Sequence, residues 1–498
     1  MNLLVALPIL IPFATAAVML VFAQQGRLIR ILGVLSSMAH FFVSVALLLA
    51  VRGNGIQVQH VGRWPAPYGI TLVADPLSAI MILLTGVMGI VVSLYSLLDI
   101  KDRRRAVGFY PLLFILLMGV SGAFLTGDIF NLYVWFEVLL ISSFVLLLLD
   151  GERPQIEGGV KYVTLNLVSS GFFLAGVGIL YGQVGTLNMA DLVVKLNSTP
   201  HTALVNTSAM LLLVAFSIKA AAFPFFFWLP DSYHTPPFAV SVLFSGLLTK
   251  VGVYAMIRCF ALVYNDNINL MIILFIAALT MLTGVLGAVV QNEMRRLLSF
   301  HIISQIGYSL MGLGLFSRLS LSGAIFFTFH VAVTKAALFL VAGAVGFLKG
   351  TNQLKSLGGL YKTHPLLAVL FLIPALSLAG MPPLSGFVAK LVLVRAGLEG
   401  QQYLIIATAL IVSMLTLYSM TKIWAMAFWK PEPEIGGKEN NERSSLPAMI
   451  VIPLVILVLF SVVMGLCAEP MIDFCNVAAG HLVDPAVYIE SVLGGVSR

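Results

Sequence analysis

Several ionisable side chains interrupt apolar runs that are long enough to cross a lipid bilayer. Glu137 lies within FNLYVWFEVLLISSF, about 12 Å from the start of its run at a helical rise of about 1.5 Å per residue. Four lysines and a histidine occupy similar positions: Lys219, Lys250, Lys335, Lys390 and His330. Carboxyl, amino and imidazole groups bind and release protons, so the chemistry that these residue types support is proton exchange.

Unpaired charges at these positions would be expensive. One charge at the centre of a membrane helix costs about 2.5 to 3.5 kcal/mol, so five would cost about 12 to 18 kcal/mol, as much as the stability of an ordinary domain. Because the one acid, Glu137, cannot neutralise four lysines, some lysines must be hydrated or give up their proton. We therefore expect a proton pathway. A static bridge between Glu137 and one lysine is the structural alternative, and Lys335 fits either interpretation.

Other ionisable residues near the apolar runs are interpreted as structural. His40, His234 and His301 belong to this group, or are at most points where protons enter, and Lys422 lies close to the end of its run.

The composition indicates an integral membrane protein. Of the 498 residues, 60% are hydrophobic and 10% are charged, and the mean hydropathy is +1.03. A soluble domain is typically about 25% charged. The longest polar stretch, WKPEPEIGGKENNERSS at 429–445, is too short to be a domain. We therefore expect one transmembrane domain over residues 1–498.

The apolar runs predict an all-α membrane fold of about fourteen transmembrane helices. Their approximate bounds are 2–23, 28–51, 72–97, 107–126, 129–149, 159–182, 206–229, 238–262, 269–290, 298–316, 322–347, 365–395, 402–428 and 446–466.

The distribution of basic residues predicts the orientation of the chain in the cell membrane. With the N-terminus outside, the KDRRR run at 101–105 and most other basic residues, including Lys438 and Arg443, face the cytoplasm. Fewer lie on the outer side: Arg52, Arg63, Lys195, Arg258, Arg318, Arg395 and Arg498. The net charge of +7 is therefore explained by membrane topology, with both termini outside, and nucleic acid is not an expected partner.

Two predicted spans contain helix-breaking residues. AFSIKAAAFPFFFWLPD (215–231) contains Pro224 and Pro230, and LSLAGMPPLSGFVAK (376–390) contains Pro382 and Pro383. Broken helices at membrane depth are tolerated where protein or a wet cavity satisfies the freed backbone groups, and matched breaks point to repeats around a transport pathway. The breaks, in spans 7 and 12, are five spans apart. We therefore predict two inverted five-helix repeats, over 107–262 and 269–428.

Cofactor chemistry is not indicated by the sequence. Cys259, Cys467 and Cys475 form no CxxC pair and show no metal-ligand spacing. No Ser/His/Asp arrangement stands out either, so we expect no enzymatic activity, cofactor or metal in this chain.

The motifs around the buried charges resemble a known family. NLYVWFEVLL, SIKAAAFPFFFWLPDSYHTPP, SGLLTKVGVYA and LAGMPPLSGFVAK are similar to segments of the antiporter-like subunits shared by Mrp-type sodium/proton antiporters, respiratory complex I and membrane-bound hydrogenases. The resemblance covers nearly the whole chain. The form FNLYVWFEVLL and the length without a long C-terminal extension are most similar to the Mrp branch.

The resemblance implies fourteen helices, two inverted repeats and two half-channels joined by a polar axis. Glu137 and Lys219 would correspond to a coupled pair on helices 5 and 7, whose association switches the proton affinity of the lysine. Lys250 would correspond to the lysine of helix 8 and Lys390 to the Lys or Glu of helix 12. His330 falls in the helix-11 region, where relatives also carry histidine.

Together, these observations predict a proton-translocating subunit of a multi-subunit Na⁺/H⁺ antiporter, with Na⁺ carried by partner membrane subunits. One alternative is a proton-pumping membrane subunit of complex I or a membrane-bound hydrogenase, whose redox groups would sit on other subunits. The other is a scaffold that transports nothing, in which the buried charges would be structural bridges.

Overall fold

A computed structural model describes residues 2–198, 202–264, 269–432 and 445–494. The predicted cytoplasmic residues Lys438 and Arg443, the predicted outer residue Arg498 and most of the polar stretch 429–445 lie outside these ranges. The first eleven α-helices are α1 (Leu3–Val21), α2 (Gly26–Asn54), α3 (Pro76–Asp99), α4 (Asp102–Ala106), α5 (Phe109–Leu125), α6 (Ile129–Leu147), α7 (Arg153–Val184), α8 (Met189–Ser198), α9 (Ala203–Ala220), α10 (Trp228–Tyr233) and α11 (Phe238–Leu243).

The next eleven are α12 (Thr249–Ile257), α13 (Leu270–Val290), α14 (Met294–Leu315), α15 (Arg318–Lys349), α16 (Leu360–Thr363), α17 (Pro365–Ala379), α18 (Ser385–Glu399), α19 (Tyr403–Ile423), α20 (Ala448–Leu466), α21 (Glu469–Val483) and α22 (Ala486–Leu493). Three π-helical segments continue neighbouring α-helices: Phe244–Leu248, Arg258–Val263 and Trp424–Trp429. Phe238–Val263 and Tyr403–Trp429 are therefore each one continuous helix.

The chain is a multi-pass membrane protein. In the described residues, 12 helices are long and apolar enough to cross a bilayer, and α5 and α17 are shorter apolar helices. Every predicted span overlaps one of these helices or the α17–α18 pair. The all-α membrane class is confirmed, whereas the count of fourteen and the two inverted repeats at 107–262 and 269–428 stay predictions.

A small β-hairpin precedes α3, which the sequence prediction did not include. Strand β1 (Gln57–His60) pairs antiparallel with β2 (Thr71–Ala74), and His60 lies opposite Thr71. The predicted helix began at residue 72, but α3 begins at Pro76 because Asp75 caps it and accepts a 2.9 Å hydrogen bond from the Ser78 N–H. The short helices α4, α8, α10, α16, α21 and α22 were also not predicted, because none has an apolar run long enough to stand out.

The buried core of the protein surrounds α15. This 32-residue helix packs against α11, α14, α17, α18, α20 and α21, and against the π segment Phe244–Leu248. Together with α3, α14 and the Phe238–Val263 helix it is among the most deeply buried spans, whereas α1 and α2 expose apolar faces. Lipid is the natural solvent of such faces.

The first predicted break lies between α9 and α10. Helix α9 ends at Ala220, and Ala221 adopts a left-handed conformation with φ of 59°. The carbonyl of Ile218 accepts a 3.1 Å hydrogen bond from the indole N–H of Trp228 as well as one from the Ala221 N–H, and the Phe223 N–H donates to Thr280 on α13 at 2.9 Å. The protein thus satisfies the freed backbone groups without water.

The prediction for Pro230 was wrong in detail, although Pro224 does lie in the break. Pro230 belongs to the first turn of α10, where a missing backbone N–H costs no helical hydrogen bond because the carbonyl four residues earlier lies outside the helix. The break is therefore the segment 221–227.

The second break lies between α17 and α18 and contains Pro382 and Pro383. Gly380, with φ of 91°, ends α17 in a left-handed conformation that favours glycine. The freed carbonyls of Leu378 and Ala379 accept hydrogen bonds from the side-chain nitrogen of Lys390, at 2.9 Å and 3.1 Å. A predicted site residue thus closes the end of this broken helix.

Candidate functional site

Glu137 is held on α6 by a serine of the neighbouring helix α7. The Ser170 hydroxyl donates a 2.5 Å hydrogen bond to Glu137 Oε1, and the carboxylate is partly exposed. Helix α6 is fixed at its start by Asp128, which accepts a 2.7 Å hydrogen bond from the Asn131 N–H. Burial raises the pKa of Asp128, although the Asn131 N–H acts in the opposite direction.

Lys219 lies in the last turn of α9, just before the first break. Its side-chain nitrogen is 5.5 Å from the ring centroid of Phe136, which faces it from α6, and donates no hydrogen bond within the described part of the chain. Glu137 and Lys219, both described, are not in ion-pair contact. The pair implied by the resemblance is therefore present as two neighbouring but separated groups.

A small cavity adjoins Lys219. It has a volume of about 20 Å³ and is lined by Tyr162, Asn166, Tyr233 and Trp228 as well as the lysine. The buried Tyr233 hydroxyl has no hydrogen-bond partner among the residues that the structure describes. A cavity that holds one water needs roughly 10 to 15 Å³ and a few polar groups, so this space suits a single water between Lys219 and the tyrosine.

Lys250 follows the π segment Phe244–Leu248. Its side-chain nitrogen donates to the Ser245 carbonyl at 2.5 Å and to the Thr249 hydroxyl at 3.3 Å. A π turn leaves a carbonyl without its usual partner in the helix, and the lysine uses that acceptor. The π segment packs against α15, the helix that carries Lys335 and His330.

Lys335 is fully buried on α15 and reaches α14. Its side-chain nitrogen donates to the Leu298 carbonyl at 3.3 Å. One turn further along α14, the His301 ring shares a 2.5 Å hydrogen bond through Nε2 with Ser419 on α19. The sequence placed His301 at the end of a span, but α14 begins at Met294, so this histidine lies inside the protein.

His330 and Lys390 meet at the second break. His330 Nδ1 lies 2.9 Å from the Ser385 hydroxyl, and its buried Nε2 has no partner in the described ranges. Lys390 also donates to the Ser413 hydroxyl at 2.7 Å and lies 4.9 Å from the ring centroid of Tyr308. A cavity of about 180 Å³ adjoins Lys390 and Tyr308.

The structure therefore arranges the six predicted residues in three groups. Glu137 and Lys219 lie near the first break, Lys250 and Lys335 on packed central helices, and His330 and Lys390 at the second break. All four lysines bond to carbonyls or hydroxyls or face an aromatic ring, and none of them pairs with a carboxylate among the described residues.

The sequence interpretation of Arg258 was wrong. Arg258, predicted on the outer side near the end of span 238–262, is 2% exposed within the Phe238–Val263 helix and bridges Asp75, which is 1% exposed. Two hydrogen bonds of 2.7 Å join the guanidinium to the two carboxylate oxygens, and Ser78 and Tyr254 complete the network. The signal was available, because Arg258 lies inside the predicted span 238–262, in the apolar run VGVYAMIRCFALVY, but it was not grouped with the other charges of the spans.

Comparison with known proteins agrees with this architecture. Residues 126–416 match the family model described as NADH:quinone oxidoreductase/Mrp antiporter, transmembrane region. The chain is 45% identical to the D subunit of the Na(+)/H(+) antiporter of Alkalihalophilus pseudofirmus and 40% identical to that of Bacillus subtilis, in each case over 99% of this chain and 100% of the relative.

Two solved structures share the fold. A chain of the Mrp complex from Dietzia sp. DQ12-45-1b is 33% identical, with a TM-score of 0.92 over 99% of this chain and 100% of that chain. A chain of an archaeal membrane-bound sulfane sulfur reductase is 27% identical, with a TM-score of 0.91 over 98% and 99%. The chain therefore belongs to the NADH:quinone oxidoreductase/Mrp antiporter family, among the Na(+)/H(+) antiporter D subunits.

Proposed function

We propose that this chain conducts protons for a multi-subunit Na⁺/H⁺ antiporter, through Glu137, Lys219, Lys250, Lys335, His330 and Lys390. The observation that carries the proposal is the absence of carboxylate partners for the four buried lysines among the described residues. The neighbours of each lysine are neutral: Lys250, Lys335 and Lys390 donate hydrogen bonds to carbonyls, and Lys219 faces the ring of Phe136. Such neighbours stabilise the ammonium form and also tolerate the neutral amine.

A lysine with neutral partners can change its protonation state without leaving a buried counter-ion behind. Removing one member of a buried ion pair typically costs about 3 to 5 kcal/mol, because the other charge stays uncompensated. The Asp75–Arg258 pair is a buried ion pair of this kind and would incur that cost. The four lysines, Lys219, Lys250, Lys335 and Lys390, would not. We assign the former to structure and the latter to transport.

Sodium ions fit this pathway poorly. Hard cations prefer oxygen ligands, above all carboxylates, and Glu137 is the acid nearest the middle of the described spans that line the site. We therefore assign sodium transport to partner membrane subunits, in keeping with the multi-subunit complex named for the Dietzia relative.

We also propose that 107–262 and 269–428 are the two inverted repeats, with both termini outside. In support, each range contains one broken helix whose freed carbonyls are capped by a side chain, and each ends in a π segment, Arg258–Val263 or Trp424–Trp429.

The alternative of a redox-driven proton pump has one observation in its favour, the shared fold of the sulfane sulfur reductase chain. The higher identity to antiporter D subunits, over nearly the full length of both proteins, favours the antiporter.

The test is exchange activity in everted vesicles from cells that lack other sodium/proton antiporters and express the full set of subunits. We expect Glu137→Gln and Lys219→Ala each to abolish sodium-dependent proton movement, with normal amounts of assembled complex. Glu157→Gln is the matched control, because this glutamate is exposed on α7 and pairs with Lys161. Full exchange in either variant would refute the proposal, and loss of assembly without a specific loss of exchange would favour the scaffold.

A further inference from the structure

A third cavity, larger than the two described above, lies on the face that carries the basic KDRRR run. It has a volume of about 540 Å³, and it is lined by Tyr95, Leu98, Asp99, Lys101, Arg103, Arg104, Asp150, Phe238, Gly343, Gly346, Phe347 and Ile450. We call it the basic-face vestibule. A water molecule occupies about 30 Å³ of liquid, so the vestibule has room for many waters. None of the six proposed pathway residues lines it.

The two carboxylates at the wall of the vestibule, Asp99 and Asp150, differ in their hydrogen-bond partners. Arg104 donates two hydrogen bonds to the Asp150 carboxylate, of 2.7 Å and 2.9 Å, and its guanidinium lies 3.8 Å from the Asp99 carboxylate. The Asp99 carboxylate is 14% exposed and accepts a 2.9 Å hydrogen bond from the Ala239 N–H. Asp150 is therefore held by two hydrogen bonds from its arginine, whereas Asp99 accepts a backbone N–H and lines the vestibule, where its carboxylate can accept a proton.

A tyrosine and a glycine shape the inner end of the vestibule. A Cβ at Gly343 would lie 2.2 Å from the Tyr95 hydroxyl, closer than atoms can approach, so the hydroxyl reaches its position only because residue 343 has no side chain. This hydroxyl forms no hydrogen bond with any other described residue and is free to bond to water. Residues 336–342 of α15, between this glycine and Lys335, are all apolar and offer no side chain that could relay a proton to that lysine.

A chain of contacts connects the vestibule wall with the small cavity beside Lys219. Phe238, at the vestibule wall, stacks against Arg295, whose Cζ lies 4.4 Å from the ring centroid. Arg295 donates to the Ser241 hydroxyl at 2.7 Å, and Ser241 donates to the Tyr233 carbonyl at 2.8 Å. Tyr233 lines the small cavity beside Lys219 with its unpartnered hydroxyl.

We propose that the basic-face vestibule is the mouth through which protons pass between the aqueous phase and Lys219, with Asp99 as the proton-exchanging carboxylate at the wall. This proposal rests on the proton-conducting function given above. A hydronium ion transfers one proton to the Asp99 carboxylate, leaving water and a neutral carboxylic acid. The acid passes that proton to a water beside Tyr95, which becomes hydronium while Asp99 becomes a carboxylate again. Relayed between waters, one proton converts the neutral amine of Lys219 to ammonium, and the last hydronium returns to water.

Accessibility is the first test. In a full complex in which the exposed Cys467 is replaced by serine, Leu98→Cys introduces a thiol into the vestibule without removing Asp99. We expect a membrane-impermeant cationic methanethiosulfonate, added to the face that carries the KDRRR run, to label this cysteine and block exchange. Lys362→Cys is the control, since this exposed position lies outside the vestibule and labelling there should leave exchange unchanged.

Carboxylate removal is the second test. We expect Asp99→Asn to lower the maximal exchange rate by about a hundredfold, as for other lost proton-transfer groups. The KM for sodium and the amount of assembled complex should stay constant, and the solvent deuterium isotope effect on the rate should increase. Asp102→Asn is the control, because its carboxylate is 80% exposed and pairs with Arg105 outside the vestibule.

Labelling of Leu98→Cys without inhibition, or normal exchange by Asp99→Asn, would overturn the vestibule proposal. Because Glu137→Gln and Lys219→Ala are measured in the same vesicles, the two proposals fail separately. Activity in those variants refutes the proton pathway itself, whereas their inactivity together with an active Asp99→Asn refutes only this mouth.

Discussion

Ser170 on α7 donates a 2.5 Å hydrogen bond to Glu137 on α6, so a hydroxyl, and not Lys219, holds the carboxylate. Hydrogen bonds to charged groups contribute about 1.5 to 3 kcal/mol, and this one competes with any pairing between Glu137 and Lys219. Ser170 therefore sets how readily the acid can move to the lysine.

Ser170→Ala should trap Glu137 on Lys219 and slow exchange by about tenfold or more, the rate equivalent of one such hydrogen bond. The measurement is the maximal rate of sodium-dependent proton movement in vesicles. Ser169→Ala serves as the control, because the neighbouring hydroxyl donates only to the Ala215 carbonyl. Equal rates in the two variants would show that Ser170 does not restrain the acid.

Lys390→Met should abolish exchange, while Lys422→Met should retain it. Both lysines bond to two backbone carbonyls, Lys390 to those of Leu378 and Ala379 and Lys422 to those of Val289 and Gln291. A purely structural role would make the two variants alike, so similar activity in both would contradict a transport role for Lys390. Exchange rates and the melting temperature of the purified complex separate the two effects.

Arg258→Met should destabilise the protein by about 3 to 5 kcal/mol, because it leaves the buried Asp75 carboxylate without its partner. The double variant Asp75→Asn with Arg258→Met should recover a large part of this loss. Thermal unfolding of the complex in detergent measures both effects. If the single and double variants unfold at the same temperature, the pair does not act as a unit.

Gly284→Ala should also destabilise the fold, by about 1 to 3 kcal/mol, because its Cβ would lie 2.3 Å from the Ser304 backbone nitrogen, where α13 meets α14. Gly171→Ala on α7 is matched in chemistry but meets no atom within 4 Å. The expected outcome is a lower melting temperature for the first variant alone, and equal melting temperatures would contradict the close packing.

The Arg104–Asp150 contact predicts a pH dependence. Burial alone would raise the pKa of Asp150, but the hydrogen bonds and charge of Arg104 outweigh it and hold the pKa below the ordinary carboxyl value. This contact therefore stabilises the fold above the unfolded pKa of about 3.9, and the stabilisation is lost as the pH falls through the folded pKa. Arg104→Leu should cost at most about 1 kcal/mol near neutral pH and progressively less below about pH 4. The measurement is the unfolding free energy of the variant and of the unchanged protein near neutral pH and below about pH 4. An equal loss of stability under the two conditions would contradict this assignment.

The sequence was sufficient to predict the features that depend on hydropathy and on ionisable residues within apolar runs. The membrane fold and the membership among antiporter D subunits are confirmed, and Glu137, Lys219, Lys250, Lys335, His330 and Lys390 are placed in or beside buried helices. Their roles in transport stay predictions.

The partners of these residues could not be predicted. Ser170, Ser385 and Ser413 look like any other serine of a membrane helix, and a hydroxyl in an apolar run carries no sign of which neighbour it faces. Asp75 and Arg258 are separated by 183 residues along the chain, so only the folded chain brings them together. Pro230 was misassigned because the sequence alone does not distinguish a proline in the first turn of a helix from one that ends a helix.

The two broken helices differ in the group that closes them, an indole at the first and an amine at the second. Trp228 carries one N–H at every pH, so its hydrogen bond to the Ile218 carbonyl does not depend on pH. Lys390 holds three acceptors, the carbonyls of Leu378 and Ala379 and the hydroxyl of Ser413, with the three protons of an ammonium group. A neutral amine has only two, so the loss of one proton leaves one of these three acceptors without its hydrogen bond from the lysine. The protonation state of Lys390 is therefore coupled to the backbone geometry at the end of α17.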